Sequence, residues 1–247
     1  MSFDLFVWSW IAMAVGTLVL LFFVSAPYGR HIRKGWGPTL DHRIGWFLME
    51  CTSLFIFSYF FFEGALEKNW ISYFFASLWI LHYVNRALIY PLRQKGKRKE
   101  MPVAIALFGF LFNCVNGYFN GHFLGTIAHY DLIWVQSPWF VGGVVLFFFG
   151  VAINLWADEK LFALKRQNKD YQNPRGGLYE FISCPNYLGE IVEWLGFALM
   201  TLSLPALSFF IWTVANLAPR ALAHNKWYRE QFGDEPKGRK ALFPFIF

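Results

Sequence analysis

The sequence is dominated by apolar runs that are each about as long as a lipid bilayer is thick. A helix needs about 20 predominantly apolar residues to cross the hydrocarbon layer, where it satisfies its backbone hydrogen bonds without water. Hydropathy predicts seven such spans, namely Leu5–Ser25, Ile44–Phe62, Trp70–Tyr90, Val103–Leu124, Leu132–Leu155, Tyr187–Leu204 and Ala206–Leu222. Only 15% of the 247 residues are charged, against about a quarter in soluble domains. We therefore predict an all-α, polytopic integral membrane protein of one domain, residues 1–247.

The basic residues predict which side of the membrane each connection occupies, because Lys and Arg concentrate in cytoplasmic connections. They gather after the first, third, fifth and seventh spans, in residues 26–43, 91–102, 156–186 and 223–247. Lys68 is the only Lys or Arg in the opposite connections. The amino terminus is therefore predicted outside and the carboxyl terminus in the cytoplasm. The first span lacks a basic leader and a small-residue cleavage site, which favours a retained helix over a signal peptide.

Other local features limit what the spans can contain. Pro219 lies in the seventh span and predicts a kink or an early end of that helix. Cys51, Cys114 and Cys184 are scattered and odd in number, so they indicate neither a disulfide framework nor a metal site. The sequence contains no GxGxxG, phosphate-binding loop or HExxH pattern. Neither a soluble nucleotide-binding fold nor a catalytic metal is therefore predicted.

One segment combines a membrane-like composition with regularly spaced polar residues. It is Gly176–Gly196, with the sequence GGLYEFISCPNYLGEIVEWLG. A helix beginning near Pro185 would align Asn186, Glu190 and Glu193 on one face, because they are four and three residues apart. Acids inside a membrane helix are costly and usually face an interior cavity. We therefore predict that this stripe belongs to a functional site.

The second and third spans contain a further set of polar residues. Glu50 is the only carboxylate of its span, and in its protonated form it could donate a hydrogen bond to a ligand carbonyl. A structural acid satisfied by a neighbouring helix is the alternative. Tyr83, Arg86 and Tyr90 form one stripe at i, i+3 and i+7, although Arg86 could instead extend to the membrane interface. Glu50 and Tyr83 together are typical of a donor pair for a polar substrate group.

The remaining spans contain similar stripes. We interpret Asn113, Asn116 and Asn120 of the fourth span as interhelical hydrogen-bonding residues. Two more stripes flank cytoplasmic connections, and they consist of Asn154 with Asp158 and of Arg220, His224 and Tyr228. If these stripes converge, they form one polar pocket open to the cytoplasm and closed by the four cytoplasmic connections. Its basic and aromatic residues would suit a phosphorylated, ring-containing cofactor.

Several of these segments resemble the signature of membrane steroid 5α-reductases. They are GGLYEFISCPNYLGEIVEWLGFAL, Asn154 with Asp158, HYVNR at His82–Arg86, WFLMECTS around Glu50, and the terminal RKALFPFIF. The resemblance covers about Tyr28 to Phe247 and implies a bacterial member of that family. The broader sterol reductases and the isoprenylcysteine methyltransferases share a version of the Pro-Asn-Tyr-x-Gly segment and a similar tail.

The resemblance implies an enzyme that uses NADPH to reduce the 4,5 double bond of a 3-oxo-4-ene steroid such as testosterone or progesterone. It implies that Glu50 and Tyr83 contact the steroid C3 carbonyl and polarise it for hydride transfer to C5. It assigns cofactor contacts to Tyr28, Arg86, Lys97, Asn154, Asp158, Lys165, Tyr171, Asn186, Glu190, Trp194, Arg220, His224 and Tyr228. Residues 97 and 165 are lysines where the family leads us to expect arginines. A lysine offers phosphate a point charge rather than a fork, which bears on the preference for NADPH over NADH.

The residues leave other functions open. A different sterol or enone double-bond reductase could use the same scaffold. In an S-adenosylmethionine-dependent membrane methyltransferase, Glu50 and Tyr83 would have no evident task. A transporter or lipid-binding protein fits less well, because seven spans show no inverted-repeat symmetry. We expect a steroid and the lipid bilayer as partners, with no nucleic acid and no obligate protein partner. The expected location is a bacterial inner membrane, or the endoplasmic reticulum of a eukaryote, with the cofactor site facing the cytoplasm.

Overall fold

The structure is a computed structural model that describes residues 2–93, 99–167, 171–233 and 236–244. Its helices are α1 Phe3–Phe23, α2 His42–Glu63, α3 Trp70–Val84, α4 Tyr90–Arg93, α5 Val103–His122, α6 Pro138–Gln167, α7 Pro185–Thr201 and α8 Leu204–Phe232. Two short strands, β1 Thr39–Asp41 and β2 Glu100–Pro102, pair antiparallel. The protein is 77% helical, which confirms the predicted all-α class.

Within the part of the chain that the structure describes, five helices are long and apolar enough to cross a membrane, namely Phe3–Phe23, His42–Glu63, Val103–Ile127, Pro138–Gln167 and Leu204–Phe232. They correspond to the first, second, fourth, fifth and seventh predicted spans. The third predicted span corresponds to α3, which has 15 residues and continues through a π-helical turn, Asn85–Ile89, into α4. The sixth corresponds to α7, which has 17 residues. The count of seven spans and the orientation of the termini stay predictions.

Two helices run beyond the predicted ends of their spans. α6 continues to Gln167, so the first part of the predicted connection 156–186 is helical. α8 continues to Phe232 and contains Pro219 in its interior, so the early end considered at that proline was wrong. Charged residues lower the hydropathy at these points. They do not end the helix, because Lys, Glu, Arg, Ala and Leu are strong helix formers.

The chain packs into two compact units. The terminal unit comprises Met1–Ser25 and Pro138–Phe247, and the middle unit comprises Ala26–Ser137. The terminal unit contains α1, α6, α7 and α8, while the middle unit contains α2 to α5 and both strands. The prediction of one domain over residues 1–247 stays a prediction.

In the terminal unit, α6 and α7 approach each other through glycines on both helices. A Cβ atom on Gly189 would lie 2.5 Å from the backbone nitrogen of Asn154, and one on Gly143 would lie 2.5 Å from that of Met200. The two backbones are therefore in direct contact, as is common where small residues line a membrane helix pair. This contact brings Asn154 of α6 to the amino-terminal turn of α7. α8 packs against α7 and against α1.

In the middle unit, α2 packs along α5 and also contacts α3. A Cβ atom on Gly121 of α5 would lie 2.5 Å from the carbonyl oxygen of Phe57 in α2, so this pair is also packed backbone to backbone. The Phe57 ring stacks on Trp79 of α3 with centroids 4.9 Å apart. The paired strands β1 and β2 directly precede α2 and α5.

The tail segment, residues 236–244, returns to the loop that precedes α7. The backbone N–H of Ser183 donates to the carbonyl oxygen of Lys240 at 2.9 Å, and the N–H of Lys240 donates to that of Phe181 at 2.9 Å. The N–H of Cys184 donates to the carbonyl oxygen of Ala241 at 3.2 Å. Loop and tail therefore form a short strand-like pairing within the terminal unit.

Candidate functional site

Tyr83, predicted to be catalytic, lies in an aromatic cluster of the middle unit. Its side chain is 3% exposed. Its ring centroid is 5.2 Å from that of Trp79 one turn earlier in α3, and Trp79 stacks in turn on Phe57 of α2. Packing on the ring leaves the phenol little freedom, so the position of the hydroxyl is well defined.

The Tyr83 hydroxyl contacts Asn113, a residue of α5 that is 5% exposed. The hydroxyl donates to Asn113 Oδ1 at 3.5 Å. Asn113 Nδ2 donates to the carbonyl oxygen of Met49 at 2.8 Å, which confirms the predicted interhelical role for this asparagine. Asn120 Nδ2 donates instead to the Asn116 carbonyl oxygen one turn back in α5, so the interhelical prediction was wrong for Asn120. Met49 directly precedes half-buried Glu50 in α2. The side-chain amide of Asn113 therefore connects the Tyr83 hydroxyl to the α2 backbone beside Glu50.

Arg86 follows Tyr83 by about one turn and is enclosed by aromatic rings. Its guanidinium carbon lies 5.0 Å from the ring centroid of Trp46 and 4.8 Å from that of Tyr90. The indole Nε1 of Trp46 donates to the backbone carbonyl oxygen of Arg86 at 3.1 Å. These contacts hold the half-buried cation in place. Tyr28, the other predicted cofactor contact described in this unit, is half-buried and precedes a 3₁₀ turn.

In the terminal unit, the structure joins three of the predicted cofactor residues. Asn154 Nδ2 donates to the backbone carbonyl oxygen of Asn186 at 2.9 Å. Asn186 Nδ2 donates to Asp158 Oδ1 at 3.1 Å. Asn154 and Asp158 are 5% and 6% exposed and lie one turn apart on α6. The predicted i, i+4 stripe therefore meets the first turn of α7, where the predicted second stripe begins.

A second group of three meets at the next residue of α7. The Tyr187 hydroxyl accepts a hydrogen bond from Arg220 Nε at 3.2 Å and lies 3.4 Å from His224 Nε2. Arg220 and His224 are the predicted i, i+4 pair of α8. Because Asn186 and Tyr187 are consecutive, the amino-terminal turn of α7 connects polar groups from α6 and α8.

The remaining predicted residues of α7 differ in exposure. Glu190 is half-buried one turn beyond Asn186. Glu193 and Trp194 are 2% and 1% exposed. The Trp194 ring lies 4.5 Å from that of Phe209 in α8, edge to face. Trp194 thus belongs to the apolar core of the terminal unit as well as to the predicted stripe.

Tyr171 and Tyr228 lie on either side of Trp227. The Tyr171 ring is 5.1 Å from the Trp227 ring, which is 5.3 Å from the Tyr228 ring. Tyr228 is 3% exposed. Lys165 is exposed near the end of α6, with its Nζ 6.0 Å from the Phe162 ring. The predicted contact at Lys97 lies outside the described residues.

Arg239 of the tail segment connects the loop before α7 to α8. It is 4% exposed, and it donates to the carbonyl oxygens of Pro174 and Tyr179 at 3.2 and 3.3 Å and to Asn173 Oδ1 at 2.8 Å. Its guanidinium carbon lies 5.0 Å from the Tyr228 ring centroid. Burial lowers the pKa of the Arg239 guanidinium below its usual value, yet an arginine stays charged in proteins.

Asn225 supports the same junction from α8. Its Nδ2 lies 2.7 Å from Ser183 Oγ and 3.0 and 3.1 Å from the carbonyl oxygens of Arg239 and Lys240. No pattern in the sequence indicates Asn225, Arg239 or Tyr187 as a site residue. Tyr187 and Arg239 do lie in the two segments that resemble the steroid 5α-reductase signature, and that is the only signal that could have indicated them. Their partners come together through tertiary contacts that no local spacing reveals.

The chain is similar to a known protein family and to several of its members. The family described as 3-oxo-5-alpha-steroid 4-dehydrogenase matches residues 99–247. The steroid 5-alpha-reductase DET2 of Solanum lycopersicum is 41% identical over 252 residues, which cover 99% of this chain and 97% of that protein. The 3-oxo-5-alpha-steroid 4-dehydrogenase 1 of Rattus norvegicus is 37% identical over 237 residues, 95% of this chain and 91% of that protein.

A human relative gives the same result. The 3-oxo-5-alpha-steroid 4-dehydrogenase 2 of Homo sapiens is 36% identical over 244 residues, which cover 95% of this chain and 93% of that protein. The similarity to all three proteins extends over nearly the whole length of both chains. The chain therefore belongs to the 3-oxo-5-alpha-steroid 4-dehydrogenase family, which is a family of oxidoreductases.

Proposed function

We propose that the protein is an integral membrane reductase that uses NADPH to reduce the 4,5 double bond of 3-oxo-4-ene steroids. The observation that carries the proposal is the buried Tyr83 hydroxyl, held by α3 packing and by Asn113 in a unit composed mostly of apolar residues. Membership of the family supports the choice of reaction, because its relatives are named as steroid 5-alpha-reductases.

In the proposed reaction, Tyr83 acts on the oxygen where charge develops. Hydride addition at C5 shifts the electrons of the 4,5 double bond to the bond between C3 and C4. The electrons of the carbonyl double bond move to the C3 oxygen, which becomes negatively charged. The Tyr83 hydroxyl donates a hydrogen bond to that oxygen and stabilises the enolate more than the ketone. A protonated Glu50 orients the carbonyl and assists. A proton from water then adds to the enolate at C4, which restores the ketone and completes the reduction.

The side chains of the terminal unit fit a dinucleotide. NADPH would supply the hydride when bound. The amides and carboxylate of Asn154, Asp158 and Asn186 offer acceptors and donors for ribose hydroxyls and a carboxamide. Arg220, His224 and the amino-terminal end of α7, which carries partial positive charge, suit phosphate. The remaining proposed contacts are Tyr28, Arg86, Lys97, Lys165, Tyr171, Glu190, Trp194 and Tyr228.

The proposed enzyme crosses the membrane seven times, with its amino terminus outside and the cofactor-binding residues on the cytoplasmic side. The distribution of Lys and Arg supports this orientation. Cysteines introduced at Lys68 and Lys226 test it in sealed cells. A membrane-impermeant thiol reagent should label residue 68 and spare residue 226 until the cells are opened, and the reverse pattern would invert the proposed topology.

The decisive experiment measures NADPH oxidation by the detergent-purified protein with and without testosterone or progesterone. We expect steroid-dependent oxidation and a product two mass units heavier. Tyr83→Phe should lower turnover by about 100-fold, the effect of losing one oxyanion donor, and leave NADPH affinity unchanged. Tyr73→Phe is the matched control, because Tyr73 lies on the same helix and is 50% exposed. Unchanged turnover in Tyr83→Phe would remove the proposed mechanism, and no binding of NADPH would remove the cofactor assignment.

A further inference from the structure

We infer that Asn113 is a positioning residue for Tyr83, holding its hydroxyl in the resting enzyme and releasing it to the carbonyl of the enone substrate. The inference rests on the proposed function, because it assigns a task to a residue that acts through the proposed catalytic tyrosine. Asn113 lies on α5, Tyr83 on α3 and Met49 on α2, so one amide links three helices of the middle unit.

The orientation of the Asn113 amide follows from its partners. Nδ2 lies 2.8 Å from the carbonyl oxygen of Met49, and only a donor can face that oxygen. The other end of the amide, Oδ1, therefore faces the Tyr83 hydroxyl. Because Oδ1 can only accept, the hydroxyl must be the donor of this bond. In the resting enzyme the phenolic proton of Tyr83 thus points at Asn113.

The same proton is the one that the substrate requires. A phenol has a single O–H donor, so Tyr83 cannot donate fully to Asn113 and to a carbonyl oxygen at once. The Tyr83–Asn113 distance is 3.5 Å, well beyond the 2.7–2.8 Å or so that O–H···O bonds prefer. A hydrogen bond of this length is weak, so the hydroxyl can exchange it for a shorter one to a substrate carbonyl. Asn113 therefore keeps the donor aligned until a better acceptor arrives.

Burial makes this amide a rigid point of reference. Asn113 and Tyr83 are 5% and 3% exposed, so water does not compete strongly for either group. The bond to Met49 holds Asn113 to α2 one residue before Glu50. A change of Asn113 should therefore alter the alignment of Tyr83 relative to the α2 backbone. It should do so without disturbing the cofactor residues of the terminal unit.

The test is a double-mutant cycle between Asn113→Leu and Tyr83→Phe, measured as steroid-dependent NADPH oxidation. Alone, Asn113→Leu should lower kcat by about three- to tenfold, the range of one hydrogen bond, and change KM by less than about twofold. Without Asn113, the Tyr83 hydroxyl is less well aligned with the carbonyl oxygen. The transition state carries more charge on that oxygen than the ketone does and loses more from poor alignment, so kcat is the more sensitive parameter. In the Tyr83→Phe background, Asn113→Leu should cause no further loss.

Asn120→Leu is the matched control. Asn120 lies on the same helix and is 2% exposed, and its Nδ2 donates to the carbonyl oxygen of Asn116 one turn back. Any loss that Asn120→Leu causes should be the same with and without the Tyr83 hydroxyl. If Asn113→Leu does not fold, Asn113→Ala takes its place in the cycle. Melting temperature and NADPH affinity identify a misfolded variant.

The outcomes separate this inference from the proposed function. If Tyr83→Phe lowers kcat and the Asn113 effect persists undiminished in the Phe background, Asn113 is only structural and the inference is overturned. The same conclusion follows if folded Asn113 variants keep full kcat. If Tyr83→Phe itself has no effect, the proposed role of Tyr83 fails first. The positioning role is supported only if Asn113→Leu lowers kcat when Tyr83 is present and has no effect in the Tyr83→Phe background.

Discussion

The middle unit holds its polar side chains from helix to helix, whereas the terminal unit holds many of its own through segments outside the helices. In the middle unit, Asn113 connects Tyr83 to the α2 backbone. In the terminal unit, Arg239 and Asn225 tie the loop before α7 to the tail segment. The difference matches the proposed chemistry. A steroid carbonyl needs only one or two donors in an apolar surrounding, while a dinucleotide needs many polar partners.

In both units, glycines nevertheless allow two helix backbones to pack in direct contact. Substitutions of these glycines are expected to have the largest effects on stability. Gly189→Leu and Gly121→Leu each force a side chain against a partner backbone, which cannot move aside as a side chain can. We expect each to lower the free energy of unfolding by about 3 kcal/mol, the upper end of what overpacking typically costs, measured by thermal denaturation in detergent.

The control for these glycines is Gly142→Leu. Gly142 lies on α6 beside Gly143, and a Cβ atom there meets nothing within 4 Å. It should change the free energy of unfolding by less than about 1 kcal/mol, since a leucine is also a better helix former than glycine. If the Gly121→Leu protein were as stable as the parent, the pair α2 and α5 would not depend on close backbone contact as the pair α6 and α7 does.

The next largest effect separates the two units. Arg239→Ala leaves the carbonyl oxygens of Pro174 and Tyr179 without their shared donor. We expect a loss of roughly 2–3 kcal/mol of stability and at least tenfold weaker NADPH binding, measured by fluorescence titration. Steroid binding should be unaffected. Lys226→Ala is the control, because its side chain is 80% exposed. Equal losses of steroid and NADPH affinity would contradict the proposal that this part of the terminal unit serves the cofactor.

A smaller effect is expected at Asn225, which supports the same tail from α8. Asn225→Ala removes an amide that faces Ser183, Arg239 and Lys240. The cost should be roughly 1–2 kcal/mol, with faster proteolysis of the tail. Asn216→Ala on the same helix removes an amide that donates to the Trp212 carbonyl oxygen one turn back, and it should leave the rate of tail cleavage unchanged. A tail cleaved equally fast in both variants would show that Asn225 does not hold it.

The smallest effect is predicted for the exposed ion pair at the end of α6. Arg166 Nη2 lies 2.6 Å from Glu159 Oε1, but the side chains are 45% and 49% exposed. Water and salt screen such a pair, so Arg166→Ala should change the free energy of unfolding by less than about 0.5 kcal/mol. A change in the free energy of unfolding above about 1 kcal/mol would show that this exposed ion pair also stabilises the terminal unit.

Periodicity predicted those parts of the fold and the site that depend on single helices. The apolar runs located the long helices, and the spacing of Asn154 with Asp158 and of Arg220 with His224 placed each pair on one helical face. Hydropathy missed the extensions of α6 and α8, because it measures apolar content rather than helix formation.

The sequence could not predict how separate helices pair their polar groups. Tyr187 is a tyrosine at the edge of an apolar run, where an interfacial aromatic is the ordinary interpretation. Its position between Arg220 and His224 depends on the packing of α7 against α8. Asn113 likewise gained a specific partner only once α3, α2 and α5 were brought together.

The Arg239 contacts also have a consequence for how the protein is made. Arg239 follows Tyr179, whose carbonyl oxygen it binds, by 60 residues, and both α7 and α8 lie between them. Synthesis proceeds from the amino terminus, so the ribosome completes the loop long before it supplies the side chain that secures it. A chain that stalls within α8 would carry a loop without its anchor. The loop would then be a natural place for quality-control proteases to distinguish unfinished chains from finished ones.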